Sequence, residues 1–268
     1  MTEARDAWAT TVVVDSMQVY REIPTITNQA RERPAKLVGI VPVTEEWTVA
    51  RHREAAWREI EQSDGPVVLD AGTGMYLNAV ILDVPLAPKV SSELRSQAQE
   101  TVQNRAVPPP NLRRAVRHEE LRLSGAPGRG SIWDGPMIFD LNILYLRPDW
   151  DTLRSAIDVR SSSVVRHGLE EARVLDEMQR AGDPPNQSVA ISIGVRELVD
   201  HLRGEISIQD AEDRIATRTR RLARRQIRWF DKLSRTLQEN AQGNARTVIL
   251  DAQNISKIMH CMHDIMGE

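Results

Sequence analysis

Residues 10–24 read TTVVVDSMQVYREIP. Two threonines followed by three valines form a β-branched run, which favours a pleated, buried strand over a helix. The run ends at Val14, and Asp15, Ser16 and Gln18 follow at once, with Tyr20 and Arg21 just behind. In parallel sheets covered by helices, ligands bind beyond the carboxyl ends of the strands. A carboxylate, a hydroxyl and an amide delivered there suit a polar substrate, with Asp15 as a general base. The same residues also suit a plain strand-end turn in which Asp15 caps the next segment.

Working outward, LVGIVPV (37–43) and GPVVLDAGTG (65–74) predict a second and a third strand. Between them, TEEWTVARHREAAWREIEQS (44–63) places Trp47, Val49, Ala50, Ala56, Trp57 and Ile60 at helical spacing, opened by a Thr44-Glu45-Glu46 cap. Apolar strands alternating with a helix of this length predict βαβ units, hence an α/β fold with a parallel sheet. A polar helix ended by three prolines follows within residues 86–110, and a basic one ended by glycine within 111–125. GAPGRGSIWDGP (125–136) has the composition of a loop. FDLNILYLRP (139–148) predicts the central strand. Helices are expected at 150–166, 169–180, 194–202 and 208–240, then a strand in TVILDA (247–252) and a last helix. The expected organisation is an α/β core of residues 1–85 and 131–268 around a short helical insertion, 86–130.

The totals set bounds. With 268 residues, 41% of them apolar, a sizeable core is available. A net charge of −3 means that any nucleic-acid contact must come from a local patch. The single cysteine, Cys261, excludes an internal disulfide framework and fits a reducing cytoplasm. No apolar run approaches the roughly 20 residues needed to span a bilayer, and the start lacks the basic-then-apolar pattern of a signal peptide. A soluble cytoplasmic protein is expected, with no membrane partner.

Three further constellations stand out. In AGTGMYL (71–77), Gly72 and Gly74 bracket Thr73 at a strand-to-helix turn that suits either an anion or a tight connection. In DRIATRTRRLARRQIRWFDKL, Arg214, Arg218, Arg221, Arg225 and Arg228 recur at intervals of three and four, and Arg220 and Arg224 widen the stripe. Seven arginines in fifteen residues, with only Glu212, Asp213 and Asp231 close by in sequence, point to a phosphate partner or to a solvated amphipathic face. Ile215, Leu222 and Trp229 recur every seven residues and are expected in the core. HCMH (260–263) carries ligand atoms without a second cluster and reads as ordinary helix.

Taken in order, DSMQVYREIPTITNQ, EEWTVARHREAA, VVLDAGTGMYLNAV, NLRRAVRHEELRLSG, LRSAIDVRSSSVVRHGLEEARVL, SIGVRELVDHLRGE and TRRLARRQIRWF resemble the tRNA dimethylallyltransferase (isopentenyltransferase) family, which includes adenylate enzymes that make cytokinins. The resemblance implies a P-loop-kinase-like parallel sheet flanked by helices. It also implies transfer of a dimethylallyl group from dimethylallyl diphosphate to N6 of an adenine, in tRNA or a free adenine nucleotide, with Mg2+. It makes Asp15 the base for the N6 proton and puts Thr73 near the reacting centre. Arg160, Arg220, Arg224 and Arg225 would offset diphosphate charge. Ser16, Met17, Gln18 and Gln226 would line the substrate, and Leu112, Arg113 and Arg114 match a segment that contacts tRNA. A monomer is expected.

The chain also departs from the family pattern. The family's Gly-x-x-x-x-Gly-Lys-Ser/Thr loop occurs nowhere in the 268 residues, and MTEARDAWA resembles the end of the helix that follows it. The strand and phosphate loop are therefore expected to belong in front of VVVDS. PAKLVGI stands where the family has paired histidines, TNQARERP replaces a lysine-containing segment, and Ala156 replaces the first arginine of an Arg-Ile-x-x-Arg motif, leaving Arg160. The alternative is a family member that binds RNA or nucleotide without transfer.

Overall fold

The computed structural model describes residues 9–88, 90–109, 111–125, 131–239 and 245–250, with backbone only for 113 and 245–250. The predicted last helix and the HCMH segment lie outside these residues. Among them, no helix is long and apolar enough to cross a membrane.

The chain divides into two compact units, residues 1–81 with 138–268, and residues 82–137. In the first, β1 (Thr10–Val14) pairs in parallel with β2 (Val67–Ala71), Val13 opposite Asp70 and Val14 opposite Ala71. Val12, Val13 and Val14 are essentially inaccessible, as a β-branched run covered on both faces should be. The connection between them is α1 (Val49–Glu61), and α2 (Gly74–Ile81) leaves the end of β2. The helix of residues 44–63 begins later than expected because Thr48, not Thr44, is the cap, accepting from the Arg51 N–H.

Two strand expectations are corrected. Residues 37–43 form no strand: Lys36 bridges to Val12 and Val41 to Tyr20, but only as isolated pairs. Leu37 and Gly39 take left-handed backbone angles, φ 64° and 59°, which break the extended run. Leu37, Val41 and Val43 are buried all the same, so the apolar signal came from a packed loop. Residues 139–148 do form a strand, β3 (Leu141–Leu146), but not a central one among the described residues. It pairs in parallel with β4 (Ala245–Leu250), in a ladder separate from β1–β2.

After β3 come α5 (Trp150–His167), α6 (Leu169–Arg180), the short α7 (Gln187–Ala190), α8 (Val195–Leu202) and α9 (Ile208–Glu239). The helices of the second unit are α3 (Ser92–Gln103) and α4 (Leu112–Leu123). The long α9 packs on α5, α8, α2 and β4. It buries Ile215, Ala216, Ala223, Leu233 and Leu237, whereas Leu222 is exposed, contrary to the seven-residue reading. Tyr145 of β3 donates to Asp231 of α9 at 3.0 Å. Burial, reinforced by that carboxylate, pushes the phenol up to about 12.

The second unit buries Val90, Ala98 and Val102, and adds ion pairs that α4 makes with α3 and with Arg105 just beyond it. Glu119 and Glu120 of α4 are buried. Glu119 meets Arg105 at 3.2 Å and Arg122 at 2.6 Å, and Glu120 meets Arg95 at 3.3 Å and Arg117 at 2.6 Å. The hydrogen bond from Arg122 holds the Glu119 carboxyl below its usual range. Much of the basic helix is thus spent inward.

His52 of α1 gives a pH prediction. It is fully buried, its Nδ1 accepts from Trp47 Nε1 at 3.0 Å, and its Nε2 has no partner that meets hydrogen-bond geometry. Burial pulls its pKa from 6.5 down to about 4, opposed only weakly by the Val13 backbone. The unfolded chain therefore takes up this proton near pH 6.5 while the folded chain resists it to about pH 4. Stability is full above pH 6.5 and falls between the two values, by about 3 kcal/mol at pH 4. Urea unfolding should show that slope, and His52→Phe should flatten it between pH 6.5 and 5.

Candidate active site

The carboxyl end of β1 meets the β2–α2 turn, where the Asp15 and Ser16 side chains converge on Thr73. The Gln18 side chain turns to Arg31 instead, and Arg21 donates to the Ile40 carbonyl. Asp15 Oδ1 accepts the backbone N–H groups of Met17 at 2.8 Å and Gln18 at 3.1 Å. This folds the polar cluster back over the strand end as an Asx turn. Asp15 Oδ2 accepts the Thr73 hydroxyl at 3.1 Å. Thr73 Oγ1 in turn accepts the Ser16 N–H at 3.2 Å and lies 3.4 Å from Ser16 Oγ. Of the roughly four lone-pair positions on a carboxylate, three are filled, and the one left is on Oδ2. Asp15 thus caps the turn with one oxygen and keeps an acceptor position on the other.

The turn leaves no room. A side chain at Gly72 would begin 2.7 Å from Asp15 Oδ2, and one at Gly74 would begin 2.1 Å from Trp229 Cδ1. The bracketing glycines are therefore demanded by close approach. From α9, Gln226 Nε2 donates to the Gly72 carbonyl at 2.7 Å, and Trp229 Nε1 donates to Asn78 Oδ1 at 3.1 Å. The Gln-x-x-Trp part of the Arg-Arg-Gln-x-x-Trp segment thus docks α9 on the β2–α2 turn, whose Thr73 donates to Asp15. Asn78 was missed in the sequence, although a lone amide in the otherwise apolar GMYLNAVI was the available signal.

The arginines separate. Arg160 is half-buried and donates to the carbonyls of Thr25 at 2.5 Å and Ile26 at 3.3 Å. Burial lowers its pKa from the usual guanidinium value, with Glu171 opposing. Glu171 receives the N–H groups of the same two residues at 2.6 and 2.9 Å, so the pair clamps the loop after β1 from both sides. Arg220 pairs with Asp158 at 2.5 Å. Arg218 is tied to Glu197 and to the Ile191 carbonyl. These partners lie far away in sequence, which is why a local charge count overstated the unpaired density of the stripe. Arg224 stacks over Trp150 at 4.5 Å. Arg225 is exposed, on the same turn of α9 as Gln226. Leu112 and Arg114 are exposed in α4, in the second unit, and the Arg113 side chain lies outside the described residues.

The Mg2+ implied by the resemblance does not find a site in the described residues. No three His, Cys, Asp or Glu side chains converge there. Asp15 itself has a single lone-pair position to offer. No step is therefore assigned to a metal.

Thr73→Val should keep the packing and remove the hydroxyl that joins Asp15 to Ser16. A hydrogen bond to a charged group contributes about 1.5–3 kcal/mol, so the rate of whatever Asp15 performs should fall roughly 10- to 100-fold in steady-state kinetics.

Comparison with known proteins agrees along the chain. The family model described as IPP transferase matches residues 18–233. The tRNA dimethylallyltransferase of Rubrobacter xylanophilus is 57% identical over 271 residues, covering 100% of this chain and 90% of that one. A solved eukaryotic dimethylallyltransferase described as acting on tRNA superposes with a TM-score of 0.69 at 20% identity, covering 96% of this chain and 71% of that one. The tRNA isopentenylpyrophosphate transferase of Bacillus halodurans gives 0.64 at 24% identity, covering 97% and 88%. At those identities the two structures speak for the fold alone, the P-loop-like α/β arrangement.

Proposed function

This chain belongs to the IPP transferase family, and on that premise we propose that it moves a dimethylallyl group from dimethylallyl diphosphate to N6 of an adenine in tRNA. The observation that carries the reading is the Asp15 carboxylate at the end of β1, fixed through three hydrogen bonds with one acceptor position left. As N6 attacks the allylic carbon, the carbon–oxygen bond to diphosphate breaks and one N6 proton must leave. Asp15 Oδ2 accepts that proton, and Thr73 holds the oxygen in place. The departing diphosphate needs cationic donors. Arg225 and Arg224 supply them, while Arg160 and Arg220 act through the loop and helix that they brace. Exposed Leu112 and Arg114, with Arg113, belong to the tRNA contact. The same reading takes the enzyme as a monomer of the reducing cytoplasm, with Mg2+ brought by the diphosphate.

The test is incubation of the chain with dimethylallyl diphosphate, Mg2+ and either unmodified tRNA or AMP, followed by mass spectrometry of the nucleosides. N6-dimethylallyl adenosine from tRNA is the expected product. Product from AMP alone moves the substrate to the free nucleotide, and no product with either acceptor overturns the reading.

A further inference from the structure

The segment NQARERP, residues 28–34, entered the sequence reading only as a departure from a family pattern. In the structure its Arg31 reaches across the ends of both strands. One guanidinium nitrogen lies 2.6 Å from Asp70 Oδ2 on β2, and the other lies 2.6 Å from Gln18 Oε1. We propose that Arg31 is a positioning residue that fixes the orientation of the Gln18 amide, and so makes the site prefer adenine over guanine. The proposal rests on the functional reading above, in which Gln18 faces the acceptor base.

The chemistry follows from what the groups can do. A guanidinium has donors only, so the amide atom that faces Arg31 must be the oxygen, whichever way the amide would otherwise turn. Gln18 Nε2 is then the end left over, and among the described residues it has no partner. The same residue's backbone N–H is bound to Asp15 Oδ1, so the amide stems from the turn that carries the base. The site therefore offers an acceptor, Asp15 Oδ2, and a donor, Gln18 Nε2, from one four-residue stretch. Adenine carries the matching pattern on either edge beside C6: N6–H donates, and N1 or N7 accepts. Guanine places an oxygen at that carbon and sets an acceptor against Asp15. Without Arg31 the amide can turn over and present its oxygen, and the donor half of the pattern is lost. Asp70, opposite Val13 in the β1–β2 register, anchors Arg31 from the far side.

The experiment is a double-mutant cycle read by two measurements on the full chain. The first is the ratio of AMP to GMP affinity by equilibrium dialysis, and the second is kcat/KM for unmodified tRNA. Arg31→Ala should lower the AMP-to-GMP ratio about tenfold, the low end of what one lost base contact is worth. It should lower kcat/KM by a similar factor, with Arg31→Lys restoring most of both. In a Gln18→Ala background, Arg31→Ala should change neither. An Arg31→Ala protein with wild-type selectivity overturns the inference, as does an equal loss in both backgrounds. Arg31→Met, which keeps the apolar stem, takes the place of alanine in the cycle if the alanine variant unfolds. A wild-type chain that binds AMP without transfer overturns the transfer reading, and the inference, which needs only Gln18 facing the bound base, is then decided by the affinity ratio. A wild-type chain that neither transfers nor binds AMP overturns the functional reading, and the inference with it. An active wild type with an indifferent Arg31 overturns the inference only.

Discussion

Asp15→Asn should lower the transfer rate by roughly 10²–10⁴, the usual contribution of a positioned proton acceptor, while leaving the unfolding midpoint near wild type. Asparagine is the informative replacement because of how the carboxylate is used. Its Oδ1 receives the N–H groups of Met17 and Gln18, and an amide oxygen can keep accepting both. What is lost is the remaining acceptor position on Oδ2, where an amide nitrogen would stand and could only donate. The Thr73 hydroxyl, now a donor beside Oδ2, can turn to accept from that nitrogen, so the turn has no reason to open. Alanine would remove the catalytic position and the cap together. Single-turnover transfer measured alongside urea unfolding separates the two roles. A full-rate Asp15→Asn enzyme would sink the assignment of the base.

Gly74→Ala should destabilise the protein, although glycine to alanine inside a helix ordinarily stabilises by up to about 1 kcal/mol. The sign reverses because the new carbon would lie 2.1 Å from Trp229 Cδ1 and 2.5 Å from its Nε1. The indole is a rigid plate tied to buried Asn78, so it cannot give way by a few tenths of an ångström. Displacing it costs about 1–3 kcal/mol in overpacking, and a similar amount for the hydrogen bond taken from Asn78. Because Gln226 lies one turn before Trp229 on α9 and holds the Gly72 carbonyl, the variant should lose activity as well as stability. Denaturant midpoints check it. In a Trp229→Ala background the same substitution should become neutral or mildly stabilising. Persistent destabilisation there would mean that the contact with α9 is not its cause.

Much of the fold was legible in local pattern. The β-branched run of residues 10–14 is a strand because its side chains suit a two-sided burial that the residues themselves encode. The span of α9 was readable to within a residue, since 32 residues without a breaker and with good helix formers leave the backbone little choice. The failures have a common cause. Apolar composition at 37–43 signalled burial correctly but not conformation, because a loop with two left-handed residues buries the same side chains. Leu222 fitted a seven-residue repeat, yet the face that α9 buries runs through Ala216 and Ala223. Sequence pattern tells that a helix has an apolar side, whereas its neighbours choose which residues face inward.

The site divides in the same way. The chemistry-bearing residues at the end of β1, the bracketed Thr73 and the Arg-Arg-Gln-x-x-Trp segment were all visible as residue types at fixed offsets. Their convergence was not, because Asp15, Thr73 and Gln226 are 58 and 153 residues apart and only parallel pairing and the docking of α9 bring them together. The sequence by itself determined which atoms could act as base, donor or cation. The tertiary structure decided which remain available. Thr73, 58 residues away, adds a third hydrogen bond to the two that Asp15 accepts locally. Distant carboxylates withdraw Arg218 and Arg220 into ion pairs, and Arg31 turns the Gln18 amide. A side chain's capacity is set by its covalent chemistry. Its free valences are set by whatever the fold has packed against it.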